Sequence, residues 1–282
     1  MKQLIVSADD FGLARGINEG ISKAFREGIV TSINVIPAGG AYYDARSALK
    51  EIKPPEIGAH LALTETAPVT SPGKIPTLVD GEGKFCKNHR RFFLRLISKK
   101  ISREDIYTEL VSQMERLREI GIPITSLSGH EHIHMHPDIL KIFIEIAKKY
   151  RVPAIRHLHG DTMAGFVSFK KFYRKAILVF FGGSMGLTIR KAGILCTDNF
   201  LGFLDSGNLE EETLVAMLKG LRDGTTEIVT HPGLISPEVL DKCIFHERCE
   251  TDLAALISKR VKKLIDDRKI ELIRFSDLAP SK

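Results

Sequence analysis

Cysteine is scarce: four residues in 282, at positions 86, 196, 243 and 249, with no Cys-x-x-Cys pair. That excludes a disulfide framework and fits reduced thiols in a cytoplasmic protein. Long apolar runs are also missing. The stretch Leu4 to Ala8 is too short for a signal peptide and ends in two acids. Ala176 to Ile189 is too short to span a bilayer and is interrupted by Gly182, Gly183 and Gly186. No repeat of fixed period, low-complexity linker or composition break divides the chain, so a single domain over 1–282 is expected. No nucleic-acid module or aromatic-interleaved basic repeat accompanies the net charge of +6, and the one basic concentration is Lys84 to Arg103. Nucleic acid is therefore not an expected partner.

With 43% hydrophobic and 27% charged residues, the chain belongs with ordinary globular proteins. A core of this size needs no metal staple, so a bound metal would serve chemistry.

Short β-branched runs alternate with helical segments. Strands are expected at Leu4–Ala8, Ile29–Ile36, Ile57–Leu63, Ile122–Leu127, Ala154–Leu158, Ile194–Thr197, Glu227–Thr230 and Glu271–Phe275. Helices are expected at Ile17–Glu27, Tyr42–Ile52, Ser102–Ile120, Pro137–Tyr150, Glu210–Arg222 and Thr251–Arg268, with a partly helical region around Phe169–Phe181. Thr64–Asn88 reads as a long loop. Strands separated by crossover helices imply a parallel sheet. The fold class is α/β, an irregular (β/α) barrel, with a doubly wound open sheet as the alternative.

Histidine is what the chain has in unusual concentration. Ten are present, and His130, His132, His134 and His136 fall within seven residues. If that segment is extended, alternate spacing puts all four side chains on one face. Packing has no use for four adjacent imidazoles, which makes metal binding the leading reading. Asp9 and Asp10, His60 and His231 each lie at or after the end of an expected strand. In a parallel barrel those ends converge where barrel active sites lie. Each also has a plain structural reading: Asp10 before Phe11-Gly12 as a helix cap, His60 as a core residue, His231 as a turn residue.

The segments Ala8-Asp9-Asp10-Phe11-Gly12, Gly58-Ala59-His60-Leu61-Ala62-Leu63, Gly129 to Pro137 and Thr230-His231-Pro232-Gly233 resemble those of the YdjC-like carbohydrate deacetylases. That family includes a chitooligosaccharide deacetylase branch and the HpnK branch associated with hopanoid biosynthesis. The resemblance runs from residue 4 to about residue 275. It implies an irregular (β/α) barrel that hydrolyses N-acetyl groups of amino sugars with one divalent metal ion, magnesium or zinc. It places the metal ligands on Asp10, His60 and His130 and the general base on Asp9. One departure is visible: Ser128-Gly129 stands where many members have Asp-Ser. A carboxylate that orients His130 is then missing or comes from elsewhere.

The resulting expectation is a metal-dependent deacetylase. His231 is the first choice of proton donor to the leaving amine and His134 the second, while His132 and His136 are left to bind substrate. A small carbohydrate is the expected partner. A homodimer is open, and so is contact of the aromatic and basic segment 159–192 with a membrane surface. A metal-dependent phosphoesterase and a non-catalytic sugar- or lipid-binding protein are the alternatives.

Overall fold

Alternation along the first strand sets the plan of the molecule. The computed structural model describes residues 1–161, 175, 178, 179, 182–242 and 244–278. Strand β1 (Lys2–Phe11) carries Leu4, Val6 and Ala8 into the main apolar core, shared with Ile17 and Ile21 of helix α1 (Arg15–Glu27). The intervening side chains face the other way, as a period of two requires. Ile5 packs with Ala154, Ile273 and Phe275. Ser7 donates to Glu227 at 2.7 Å, and Asp9 meets Arg156. The barrel interior is thus apolar at one end and polar at the other.

The remaining strands are β2 (Ser32–Val35), β3 (Ile57–Leu61), β4 (Ile124–Gly129), β5 (Ala154–Ile155), β6 (Asn199–Leu201), β7 (Gly224–Thr230) and β8 (Glu271–Leu272). All pair in parallel, in the order β5-β4-β3-β2-β1-β7-β6, with β8 beside the start of β1. Backbone bonds from Ile155 to Leu195 (3.0 Å), Leu195 to Pro153 (2.9 Å) and Phe200 to His159 (2.8 Å) bridge the gap between β5 and β6. The sheet curls into the expected irregular barrel with helices outside.

Helices α2 (Tyr42–Ile52) and α5 (Pro137–Tyr150) occupy the expected residues. The Ser102 hydroxyl caps α4 (Arg103–Arg118), accepting from the Asp105 amide at 3.0 Å. Other boundaries moved. The expected Thr251–Arg268 helix is two, Cys249–Ile257 and Lys259–Asp267. Ser258 separates them in extended geometry, and its hydroxyl accepts from Arg260 N at 3.1 Å. The expected Ile194–Thr197 strand reduces to one bridge at Leu195, and pairing with β7 is taken by Asn199–Leu201. Helix α3 (His89–Ile97) lies in the basic concentration Lys84 to Arg103, just after the expected loop Thr64–Asn88 and outside the expected helices. Asn88 caps it, and Phe92 anchors it in the core. The helix expected around Phe169–Phe181 falls largely outside the described residues. Among the described residues, no helix is long and apolar enough to cross a membrane.

Candidate active site

Five sequence-selected residues meet at the C-terminal ends of the strands. Asp9 and Asp10 lie in the last turn of pleat of β1, His60 in β3, and His130 and His231 directly after β4 and β7. All five are buried. Strict alternation would send the two adjacent acids to opposite faces, but Asp10 departs from it and both carboxylates reach His60.

Asp9 is fully enclosed. Its Oδ2 accepts from Arg156 Nη1 at 2.5 Å. Its Oδ1 accepts from Arg156 Nη2 at 2.8 Å and from Asn34 Nδ2 at 2.6 Å. Arg156 in turn reaches Glu227 Oε1 through Nε at 2.9 Å. Burial works to raise the Asp9 carboxyl, but the Arg156 charge and then His60 outweigh it and hold it well below the usual carboxylate range. Gly58 makes room for this arrangement: a Cβ there would stand 1.9 Å from Asn34 Oδ1. Bidentate pairing with a guanidinium fixes the carboxylate's plane as well as its charge.

Asp10 takes φ +73°, a left-handed conformation that costs a non-glycine residue free energy and turns its carboxylate out of the strand's alternation. Its Oδ1 lies 2.9 Å from His130 Nδ1 and 3.4 Å from His60 Nε2. Ligand atoms of Asp10, His60 and His130 all lie within 4.8 Å of one another. His60 is turned by Ser128, its register partner on β4, whose hydroxyl meets Nδ1 at 2.7 Å. His60 Nε2 therefore faces both acids, with Asp9 Oδ2 at 3.6 Å. Burial disfavours the Asp10 anion, but the charge and hydrogen bond of His130, with the His246 and His60 rings close by, hold it well below its usual range. A carboxylate kept anionic with two imidazoles suits a divalent cation. The three residues fit such an ion.

The histidine quartet is not extended. It forms a turn of 3-10 helix over His130–Met135, in which Glu131 and His132 have φ of 49° and 54°. The four rings consequently separate. His130 joins the acids. His132 packs edge-on to Phe203 (5.0 Å) and Phe200 (6.0 Å), and its buried Nδ1 has no partner. His134 turns into the fold: it stacks on Phe143 at 5.3 Å, and its Nδ1 accepts from Gly129 N at 3.0 Å. Burial, with the nearby Arg156 charge, pushes its ring down to about 3. His136 caps α5, accepting from Asp138 N at 3.3 Å, and stacks on Phe93. Only an extended chain would put the four rings on one face, and the left-handed Glu131 and His132 prevent it.

His231 sits in a loop that Gly20 and Gly233 allow to pack tightly, since a Cβ on Gly20 would meet Gly233 Cα at 2.2 Å. The His231 amide donates to Asp252 at 2.9 Å, and its ring lies edge-on to Phe245. Burial pushes the ring down to about 4 despite Asp10 and Asp9. Its Nδ1 has no partner.

Sequence reasoning missed Arg156, Asn34, Glu65 and His246. Arg156 did carry a signal: a lone charge ending the apolar Ala154-Ile155 run. Glu65 lies in the loop after β3, and its Oε2 is 3.0 Å from His130 Nε2. A carboxylate thus lies against His130 although Ser128-Gly129 carries none. His246, in the short turn Ile244–His246, lies 3.0 Å from Asp10 Oδ2. Nothing in its sequence surroundings distinguishes it.

A family model described as "YdjC-like protein" matches residues 3–267. A protein of Thermoanaerobacter pseudethanolicus named carbohydrate deacetylase is 31% identical over 280 residues, 99% of this chain and 100% of its own. A protein of the same name from Brevibacillus brevis is 33% identical over 279 residues, 98% of this chain and 99% of its own. A solved structure from Enterococcus faecalis, described as a candidate cellobiose-phosphate cleavage protein, has a TM-score of 0.79 at 25% identity and covers 99% of both chains.

Proposed function

The chain belongs to the YdjC-like family, and on that premise we propose that it is a carbohydrate deacetylase, hydrolysing the N-acetyl group of an amino sugar and releasing acetate. The observation that carries this reading is the convergence of Asp10, His60 and His130 within 4.8 Å, with the Arg156-bound Asp9 beside His60. A divalent ion held by those three residues supplies Lewis-acid polarisation of a carbonyl and acidifies a water.

The protein's own groups divide the remaining work. Asp9 takes the proton from the attacking water. Arg156 and Asn34 fix its orientation beforehand, so little reorganisation accompanies the transfer. His231 delivers a proton to the leaving nitrogen. Burial lowers its ring, so the proton it passes on is the one that Asp9 has taken from the water. His134 has Nδ1 bonded to Gly129 N and its ring on Phe143, while His231 lies close to both acids, which favours His231 for this step. His132, with an unpartnered ring nitrogen between Phe200 and Phe203, is suited to meet a sugar hydroxyl. His136 lies on the outer side of the turn against Phe93, where it could contact only a longer substrate.

The test is a release assay on metal-depleted protein with magnesium or zinc added back. Acetate from N-acetylglucosamine oligomers, restored by one of these ions, is the expected result. Phosphate release from sugar phosphates without acetate release would establish a phosphoesterase instead.

A further inference from the structure

Each of the three donors has a far side, and each far side is occupied. His60 Nδ1 is taken by Ser128 Oγ at 2.7 Å, inside the barrel wall. The other two partners come from loops. His130 presents Nδ1 to Asp10, while its Nε2 lies 3.0 Å from Glu65 Oε2. Asp10 presents Oδ1 to His60 and His130, while its Oδ2 lies 3.0 Å from His246 Nε2. His246 is 3% exposed and otherwise surrounded by His231 and Phe245. Glu65 is held at φ +62°, with its amide donating to Cys86 O at 3.0 Å, so its position is set by the backbone of its loop.

We propose that Glu65 and His246 are positioning residues of the metal site, dictating which atom of His130 and of Asp10 faces the ion. The inference rests on the deacetylase reading above. An imidazole that donates Nε2–H to a carboxylate keeps its lone pair on Nδ1, so Glu65 fixes the His130 tautomer and aims Nδ1 at the ion. His246 Nε2, 3.0 Å from Asp10 Oδ2 but outside hydrogen-bond geometry, crowds that oxygen and leaves Oδ1 as the one shared with His60 and His130. Neither residue is itself a ligand. Both belong to loops rather than strands, so the metal site is finished by segments outside the barrel wall.

The experiment is cobalt binding to the full chain by chelator competition, with visible spectra, for the wild type and for E65A, E65Q, H246A and H246Q. The alanine variants should bind cobalt about 10- to 100-fold more weakly, with altered spectra. The glutamine variants should recover most of the affinity, because the amide oxygen of E65Q can accept from His130 and the amide of H246Q fills the space beside Asp10 Oδ2. Metal-free thermal melts should stay close to wild type. Alanine variants that bind cobalt as wild type does would overturn the proposal while leaving the deacetylase reading intact. Loss of cobalt in H246A that H246Q does not repair would make His246 a ligand and overturn its positioning role. A wild-type chain that takes up no divalent ion would contradict the proposed function, and this inference with it.

Discussion

The two ends of the barrel treat buried polar groups in opposite ways. At the end where strands begin, Ile5, Ala154, Ile273, Phe275 and Leu278 form a dry plug. The one buried acid beside it, Glu56, is satisfied by Thr125 Oγ1 at 2.8 Å and the amides of Phe275 and Ser276 at 3.0 and 3.4 Å. At the end where strands finish, Glu227 Oε2, His132 Nδ1 and His231 Nδ1 are buried without partners. Asp10, Glu65, Glu131 and His132 there all have positive φ. Buried unpaired groups and strained backbone both cost free energy, so a fold keeps them where chemistry uses them. The plugged end is built for stability and the open end for catalysis.

That contrast can be broken or sharpened by substitution. The largest effect is expected from Asp9→Asn, at the open end. It should lower kcat about 100- to 10,000-fold, the usual contribution of a general base, without loss of metal. At the plugged end, Phe275→Ala should cost about 3–5 kcal/mol of stability, read by chemical denaturation, with kcat near wild type at temperatures where the variant is folded. Gly58→Ala links the two descriptions. Its Cβ would collide with Asn34, costing about 1–3 kcal/mol by overpacking and loosening the carboxylate that Asn34 holds, so both melting temperature and kcat should fall.

The smallest effect concerns pH. Asp161, after β5, has one oxygen bonded to Leu204 N at 2.9 Å and the other unpartnered. Burial pushes its carboxyl up to about 6 from 3.8. The folded chain therefore holds this proton more tightly than the unfolded chain does. Its contribution to stability falls as pH rises from about 4 to 6, and the ionised group keeps its full cost above that window. Lowering pH from 7.5 to 5 should raise the melting temperature of wild type relative to Asp161→Asn, which has no such proton. Parallel pH profiles would contradict this assignment.

Much of the site is legible in the sequence because its chemistry is attached to strand ends. Asp9, Asp10, His60, His130 and His231 each follow or close an apolar run, and parallel strands bring those ends together. What was illegible depended on conformations that local pattern does not encode. The turn at Glu131 and His132 scatters a quartet whose spacing suggests a shared face. Ser258 stops a helix whose apolar period continues through it, because its capping bond wins locally. Arg156 joins Asp9 across 147 positions, and His246 meets Asp10 from the far end of the chain. Such pairs are set by how loops return to the barrel, and no window of sequence contains both partners.

Two adjacent acids split the work, Asp10 holding the metal and Asp9 moving the proton. Metal content and acetate release, measured together on Asp9→Asn and Asp10→Asn, test it directly. Asp9→Asn should keep one divalent ion per chain and lose turnover, while Asp10→Asn should lose both. Near-normal acetate release by Asp9→Asn, or full metal content in Asp10→Asn, would contradict it.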